Sequence, residues 1–460
     1  MNSLKKSRAL FITGVASGTM LNPLNSSMIS LALHSIQRDF HLSFATVSWL
    51  ISSFYLASAV AQPVTGKIGD IFGRKKTFLF GLVLVALSAV GAPLSGIFLM
   101  LIFMRLIQSI GSSAIYPSSM ALIRDNIKER QASALAVLSI FASAMVALGP
   151  TIGGFLIVWG NWQAIFWVNF PFVVISFILG WFIFPKDVKK DKETIKKLWA
   201  HLDFIGIGLF SAGLALFLWF LLSFETQVHY GSGIVGILFF ILFIWWELRV
   251  SEPFINVRIF KTHRKLSLVY LQFISLNIYF YCLFFGLPSY FQEVLGLSVE
   301  KSGMLMLFMS GVSIIISTVA GKWADKKGVN QPIFVGALLS VIGAFAFIFG
   351  FVGGSYFMIG IILSIMGMSY GIGNVVLQVS MLKESPKSII GTTSGLFQTC
   401  RYLGSIFSSI ILGLVFGEDI SPERMKTVGE IMLMTGVVSI FMSIWFSWDS
   451  ITFIKIKKIS

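Results

Sequence analysis

Several polar groups in this chain lie where apolar neighbours make them costly, and each could do chemistry. The first is the run Gly66-Lys67-Ile68-Gly69-Asp70-Ile71-Phe72-Gly73-Arg74-Lys75-Lys76, wedged between two long apolar segments. A carboxylate at Asp70 can cap a neighbouring helix and pair with Arg74, while Gly66, Gly69 and Gly73 permit a tight turn and close helix approach. An echo, Gly321-Lys322-Trp323-Ala324-Asp325-Lys326-Lys327-Gly328, keeps the Gly-x-x-x-Asp-x-x-Gly spacing but is followed by Val329-Asn330 rather than Arg-Lys. Such a run could be a latch that breaks during a conformational switch, or a static staple. Lacking the basic pair, the second copy should be the weaker latch.

Two arginines form the second group. Arg105 has Gln108 one turn later, and Arg401 has Gln398 one turn before. A charge at the centre of a bilayer costs at least about 2.5–3.5 kcal/mol, so each should face a bundle interior or water. No carboxylate follows Arg105 on its own segment before Asp125, which leaves Asn22, Asn25 or Gln108 as partners. Either arginine could couple protonation to conformation or simply donate interhelical hydrogen bonds. Gly149, Pro150, Gly153 and Gly154 form a third group, which can bend a helix or pack it closely against another.

Protonatable groups are scarce. None of the 20 Asp and Glu falls at the middle of an apolar segment. Asp203, Glu225, Glu247, Glu293 and Glu430 lie near segment ends. Singly, each reads as a solvated rim charge. If one of them carries a proton through the membrane, the candidates in order are Asp70, Glu293, Glu225 and His34, the last titrating near neutral pH. Cys282 and Cys400 are far apart and read as small core residues. No metal-ligand cluster and no Gly-x-x-x-x-Gly-Lys-Ser/Thr phosphate loop is present, so neither an enzyme nor an ATP-driven device has support.

These residues must be positioned by membrane helices. The 460-residue chain is 56% hydrophobic and 12% charged, about half the charge of a soluble domain. Apolar runs near 9–33, 46–66, 77–95, 97–123, 131–157, 163–185, 202–224, 230–248, 266–290, 302–322, 332–352, 355–381, 388–416 and 427–453 are long enough to cross a bilayer, and inside lipid they must be helices. The first, following Met1 to Arg8, is too long for a signal peptide and reads as a retained helix. The expected fold is an all-α polytopic membrane protein: two six-helix pseudo-repeat bundles, 1–186 and 266–460, with helices 7 and 8 inserted over 187–265.

Charge fixes an expected orientation. With both termini in the cytoplasm, nearly all of the 35 Lys and Arg face that side. The exceptions are Arg38, Lys301, Arg424 and Lys426 outside, and Arg105 and Arg401 within helices. The net charge of +15 then opposes anionic lipid headgroups, and nucleic-acid binding need not be invoked.

The first hinge resembles the loop motif of the major facilitator superfamily, matched at Gly66, Asp70, Gly73, Arg74 and Lys75. Arg105-Leu106-Ile107-Gln108-Ser109 is similar to that family's Arg-x-x-Gln-Gly pattern, with Ser109 in place of Gly. Gly149-Pro150-Thr151-Ile152-Gly153-Gly154 resembles its antiporter pattern, and Trp162 to Pro171 resembles the entry to helix 6 in its fourteen-helix drug:H+ antiporter branch. The resemblance implies a bacterial plasma-membrane transporter exporting drugs against protons, with a proton gradient as energy source and no cofactor. Joined to the reading of the residues above, it gives a latch at Gly66, Asp70, Gly73, Arg74 and Lys75 with the echo at Asp325, and coupling through Arg105 and Gln108 with Arg401 as the second embedded base. A departure is Leu24-Asn25-Ser26-Ser27, where the branch carries Leu-Asp-x-Thr: Asn25 replaces an acid.

Polar and aromatic residues on helices 1, 4, 9 and 12 would line a cavity between the halves: Asn22, Asn25, Gln108, Tyr116, Gln272, Asn277, Tyr279, Tyr281, Tyr370, Asn374 and Gln378. Such linings suit flat amphipathic ligands of fluoroquinolone or dye type, zwitterionic, neutral or weakly cationic. Other cargoes stay open (a fatty acid or lipid, or a tetracycline-type complex), as does a membrane sensor that keeps the fold without transport.

Overall fold

The computed structural model describes residues 2–42, 44–187, 203–223, 228–251, 253–297, 299–386, 389–416 and 420–457. Among them every regular element is helical. The first half contains α1 (Asn2–Thr19), α2 (Leu21–Asp39), α3 (Phe44–Phe72), α4 (Arg74–Gly91), α5 (Phe98–Asn126), α6 (Gln131–Gly160), the single turn α7 (Ala164–Trp167) and α8 (Asn169–Ile183). Next come α9 (Phe204–Leu222), α10 (Tyr230–Glu247) and the short α11 (Arg258–Thr262). The last half contains α12 (Arg264–Ser289), a π-helical turn (Tyr290–Val294), α13 (Val299–Lys327), α14 (Asn330–Gly350), α15 (Tyr356–Glu384), α16 (Ile390–Phe416) and α17 (Pro422–Lys457). Within the described residues each apolar run read from the sequence lies on these helices, most on a single one, the first on α1 and α2 together and the sixth on α7 and α8. The break between α1 and α2 at Met20 has a local cause: Pro23 has no N–H to give the carbonyl of Thr19.

Nine of the described helices are long and apolar enough to cross a membrane by length and composition. Their outward faces carry large apolar side chains such as Trp159, 92% exposed, and Phe357, 80% exposed. In water such surfaces would aggregate; against lipid they cost nothing.

Three contacts position the site. The halves meet where α3 packs on α16 and where α6 packs on α13. The α9–α10 hairpin lies outside both halves, with α9 against α3 and α16. Its contact is an apolar cluster of Phe210, Leu214, Leu218 and Phe243 with Ala59, Tyr402 and Ile406.

Candidate functional site

Asp70 sits in the last turn of α3, 4% exposed. Its Oδ1 accepts the amide of Gly391 at 2.9 Å, and its Oδ2 accepts the amide and hydroxyl of Thr392 at 2.9 and 3.2 Å. These amides belong to the first turn of α16, where helix geometry leaves N–H groups without partners and a partial positive charge. Arg74 lies 3.5 Å from the same carboxylate and also bonds Asp125 at the end of α5. The glycines permit this approach: a Cβ added at Gly66 would fall on the carbonyl oxygen of Gly391.

The second copy does the same in mirror order. Asp325, at the end of α13, accepts the amides of Ala132 (3.0 Å) and Ser133 (2.9 Å) and the Ser133 hydroxyl (2.6 Å), all in the first turn of α6. The first half therefore grips the second at Asp70, and the second grips the first at Asp325. Arg124 reinforces this face by donating to the carbonyl of Ser385 at 2.6 Å.

Sequence reasoning did not single out Asp187, and it read Asp203 and Glu247 as solvated rim charges, whereas both are buried and hold backbone N–H groups at the base of the hairpin. Asp187 accepts the amides of Lys75 and Lys76 at 3.1 and 3.0 Å, capping α4 beside Gly73, whose φ of +115° suits a glycine. Lys75 itself reaches the carbonyls of Trp181 and Phe184. On the hairpin, buried Asp203 accepts from Gly206 N and Trp246 Nε1, both at 2.8 Å, while Glu247 accepts Ile255 N at 3.3 Å. Lys67 ties this end of the hairpin to the first hinge through the carbonyl of Pro253. The signal for Asp203 was its place three residues before Gly206 at a helix start.

Deeper in the first half lies a buried polar chain. Arg105 Nη1 donates to Gln108 Oε1 at 2.5 Å, and Gln108 Nε2 donates to Asn25 Oδ1 at 3.1 Å. Asn25 and Asn169 exchange hydrogen bonds at 2.8 and 3.0 Å. The guanidinium lies 4.3 Å from the Phe54 ring centre, and its Nε and Nη2 have no hydrogen-bond partner among the described residues. Arg105 is 1% exposed, and no acid pairs with it among the described residues.

Arg401 occupies a different setting, at the boundary of the halves. Its Nη2 donates to Asn374 Oδ1 at 3.2 Å, its Nε has no hydrogen-bond partner among the described residues, and its ring neighbour Phe273 is 5.6 Å away. Tyr370, Tyr281, Tyr116 and Tyr402 surround it. With Ala142 of α6, Phe280, Ser310, Ser313 and Asn374, it lines a cavity of about 30 Å³, room for roughly two waters. Tyr402 bridges the halves by donating to Asn22 Oδ1 at 3.2 Å, and Asn22 donates to Ser112.

Other expected cavity residues are placed elsewhere. Gln272 points at α17, donating to Ser443 Oγ at 2.8 Å, and Tyr279 donates to the carbonyl of Ser340 at 3.0 Å. Both belong to packing within the second half, because the rotation of α12 turns them from the boundary. Asn277 bonds its own helix at Phe273 O. Gln378 is buried with Oε1 unpartnered. A Cβ at Gly149 would meet Ser27 Oγ, so α6 packs closely on α2 there; Gly153 is buried and Gly154 faces open space. Glu225 and the side chains of His34, Glu293 and Pro150 lie outside the described residues. Among the described residues no group of three His, Cys, Asp or Glu could hold a metal.

Comparison with known proteins places this geometry. Residues 15–409 match the family model described as Major Facilitator Superfamily. The uncharacterized MFS-type transporter YwoD of Bacillus subtilis (strain 168) is 62% identical over 443 residues, covering 96% of this chain and 98% of that protein. The tetracenomycin C resistance and export protein of Streptomyces glaucescens is 26% identical over 424 residues, covering 90% and 77%. Among solved structures, the human organic anion transporter MFSD10 (TETRAN) superposes with TM-score 0.68 at 17% identity, covering 94% and 99%; at that identity the likeness is one of fold.

Proposed function

Since the chain belongs to the major facilitator superfamily, and is therefore a multi-pass membrane transporter and not an enzyme, we propose that it is a proton-driven exporter of amphipathic drugs. The observation that carries this reading is the paired crosswise latch. Two carboxylates, each on one half, hold the first turn of a helix of the other half and would have to release together for the opposite side to close. That is a two-state element of the kind alternating access requires. The relative from Streptomyces glaucescens, named for resistance to and export of tetracenomycin C, supports a drug-like cargo.

On this reading the chain crosses the bacterial cytoplasmic membrane fourteen times, with both termini and both latches in the cytoplasm, and the 1–186 and 266–460 bundles rock about the cavity at Arg401. The 187–265 hairpin rides on α3 and α16. Arg105, Gln108 and Arg401 couple proton state to this motion, and protons are carried by Asp70, Glu293, Glu225 or His34. No cofactor takes part.

The test is transport of a drug panel into everted vesicles under an imposed pH gradient, with Asp70→Asn and Glu293→Gln beside wild type. Gradient-dependent uptake by wild type, lowered by at least one variant, is the expected result. No gradient-dependent movement of any compound would overturn the reading.

A further inference from the structure

We propose that the Arg401 pocket is the binding subsite for an anionic group, a carboxylate or its equivalent, on an amphipathic aromatic substrate. The inference rests on the transporter reading and names the substrate class of that same site.

The argument is one of unmet charge. Arg105 and Arg401 are both embedded, and neither has an acidic partner among the described residues; the ion pairs there are those of Arg74. The two guanidiniums are not equivalent. Arg105 is shut in, with Phe54 over its face and Gln108 on one nitrogen. Arg401 instead lines a cavity, and Nε remains unpartnered beside it. An arginine presents five donors in a planar fork that fits a carboxylate in bidentate fashion. Asn374, its neutral partner, uses one nitrogen of that fork.

The walls agree with this. Hydroxyls of Tyr281 and Tyr370 offer neutral dipoles, since a phenol ionises near pH 10, and they leave the charge of Arg401 uncancelled. Tyr370 also stacks on Phe280, with centroids 3.8 Å apart and planes 16° from parallel, a ready platform for a flat ring. Ser313 Oγ is buried without a partner at the same cavity. The cavity now has room for roughly two waters, the size of a carboxylate group. The head would enter here while the ring system requires the halves to part. A cationic head would be placed against an unneutralised guanidinium, a like-charge contact in a low-dielectric setting.

The experiment reads equilibrium binding and transport separately, on the full chain in nanodiscs and in proteoliposomes. The probes are a fluorescent polycyclic carboxylate, its methyl ester, a cationic dye of similar size, and acetate alone. Wild type should bind the carboxylate about 10- to 100-fold more tightly than the ester, the range for one charge-assisted hydrogen-bonded pair. In Arg401→Gln the carboxylate should fall to the affinity of the ester, whose own binding persists and shows the protein is folded. Arg401→Lys should recover part of the difference. Equal binding of carboxylate and ester by wild type, a preference for the cationic dye, a preference unchanged in Arg401→Gln, or acetate competing as well as the whole amphiphile would each overturn the proposal. If carboxylate selectivity at Arg401 holds but no probe moves under a pH gradient, the exporter reading fails and the subsite stands.

Discussion

Replacing Asp70 by Asn should release the first latch without disturbing the fold. The carboxylate accepts three hydrogen bonds from Gly391 and Thr392 and faces the positive end of α16. An Asn side chain has the same shape, keeps one acceptor, and sets its NH2 against the other backbone N–H. The loss is then one charge-assisted hydrogen bond, about 1.5–3 kcal/mol, plus part of the charge–dipole term, about 0.3–2 kcal/mol. These contacts exist only while α3 and α16 touch, so the whole loss, about 2–5 kcal/mol, falls on the latched state. It shifts the equilibrium toward the released state by a factor of roughly 30 to 5,000.

Spin labels on Lys76 and Lys383, both exposed and on opposite halves of that face, would report the shift by pulsed dipolar spectroscopy. A long-distance population should appear in Asp70→Asn and be smaller in Asp325→Asn. The reason for the order is Arg74: it ties Asp70 to Asp125, whereas Asp325 is followed by Val329 and Asn330. If Asp70→Asn leaves the distance distribution unchanged, or if Asp325→Asn has the larger effect, the reasoning about these carboxylates is refuted.

Gly66→Ala and Gly391→Ala should each cost about 1–3 kcal/mol of latched-state stability through overpacking, because a Cβ at either position meets the facing backbone; Gly311→Ala, which faces open space, is the control, and thermal melts in detergent read all three. Arg105→Met should keep or raise the melting temperature, since an apolar side chain of similar volume replaces a buried charge without an acid, yet gradient-driven transport should fall at least about tenfold; a lower melting temperature with transport intact would reverse the assignment. Asn25→Asp restores the acid that the resembling branch carries, and it should weaken binding of carboxylate probes while improving that of a cationic dye, as measured by competition in nanodiscs.

How much of this could be read from residues alone differs by site. The apolar runs fell on helices because hydropathy over some twenty residues is a local property. The Arg105–Gln108 contact was legible because residues three apart share a helix face. Gly391 and Thr392 as partners of Asp70 were not legible: the hinge shows an acid and glycines, but nothing local says which distant helix start it meets. Asn169, the partner of Asn25, follows the α7–α8 turn at Val168 and looks like an ordinary capping residue. Gln272 and Asn374 illustrate the limit most plainly. Both are amides on apolar helices, and only helix rotation and bundle packing decide that one bonds α17 and the other Arg401.

The absent acid and the unpaired arginines belong to one pattern. Asn25 uses its amide in both senses: it donates to Leu21 O and Asn169 Oδ1 and accepts from Gln108 and Asn169. A carboxylate there would lose both donors and face two oxygens, so the surrounding polar chain is built for a neutral group. With that position neutral, nothing in the described interior cancels the charges of Arg105 and Arg401. Arg105 is held by Gln108 and the face of Phe54 in a closed chain, which leaves Arg401 as the charge open to the boundary cavity. On the proposed reading, an interior so arranged is attractive to an anionic group and unfavourable to a bare cation, and a carboxylate at position 25 would offset part of that preference.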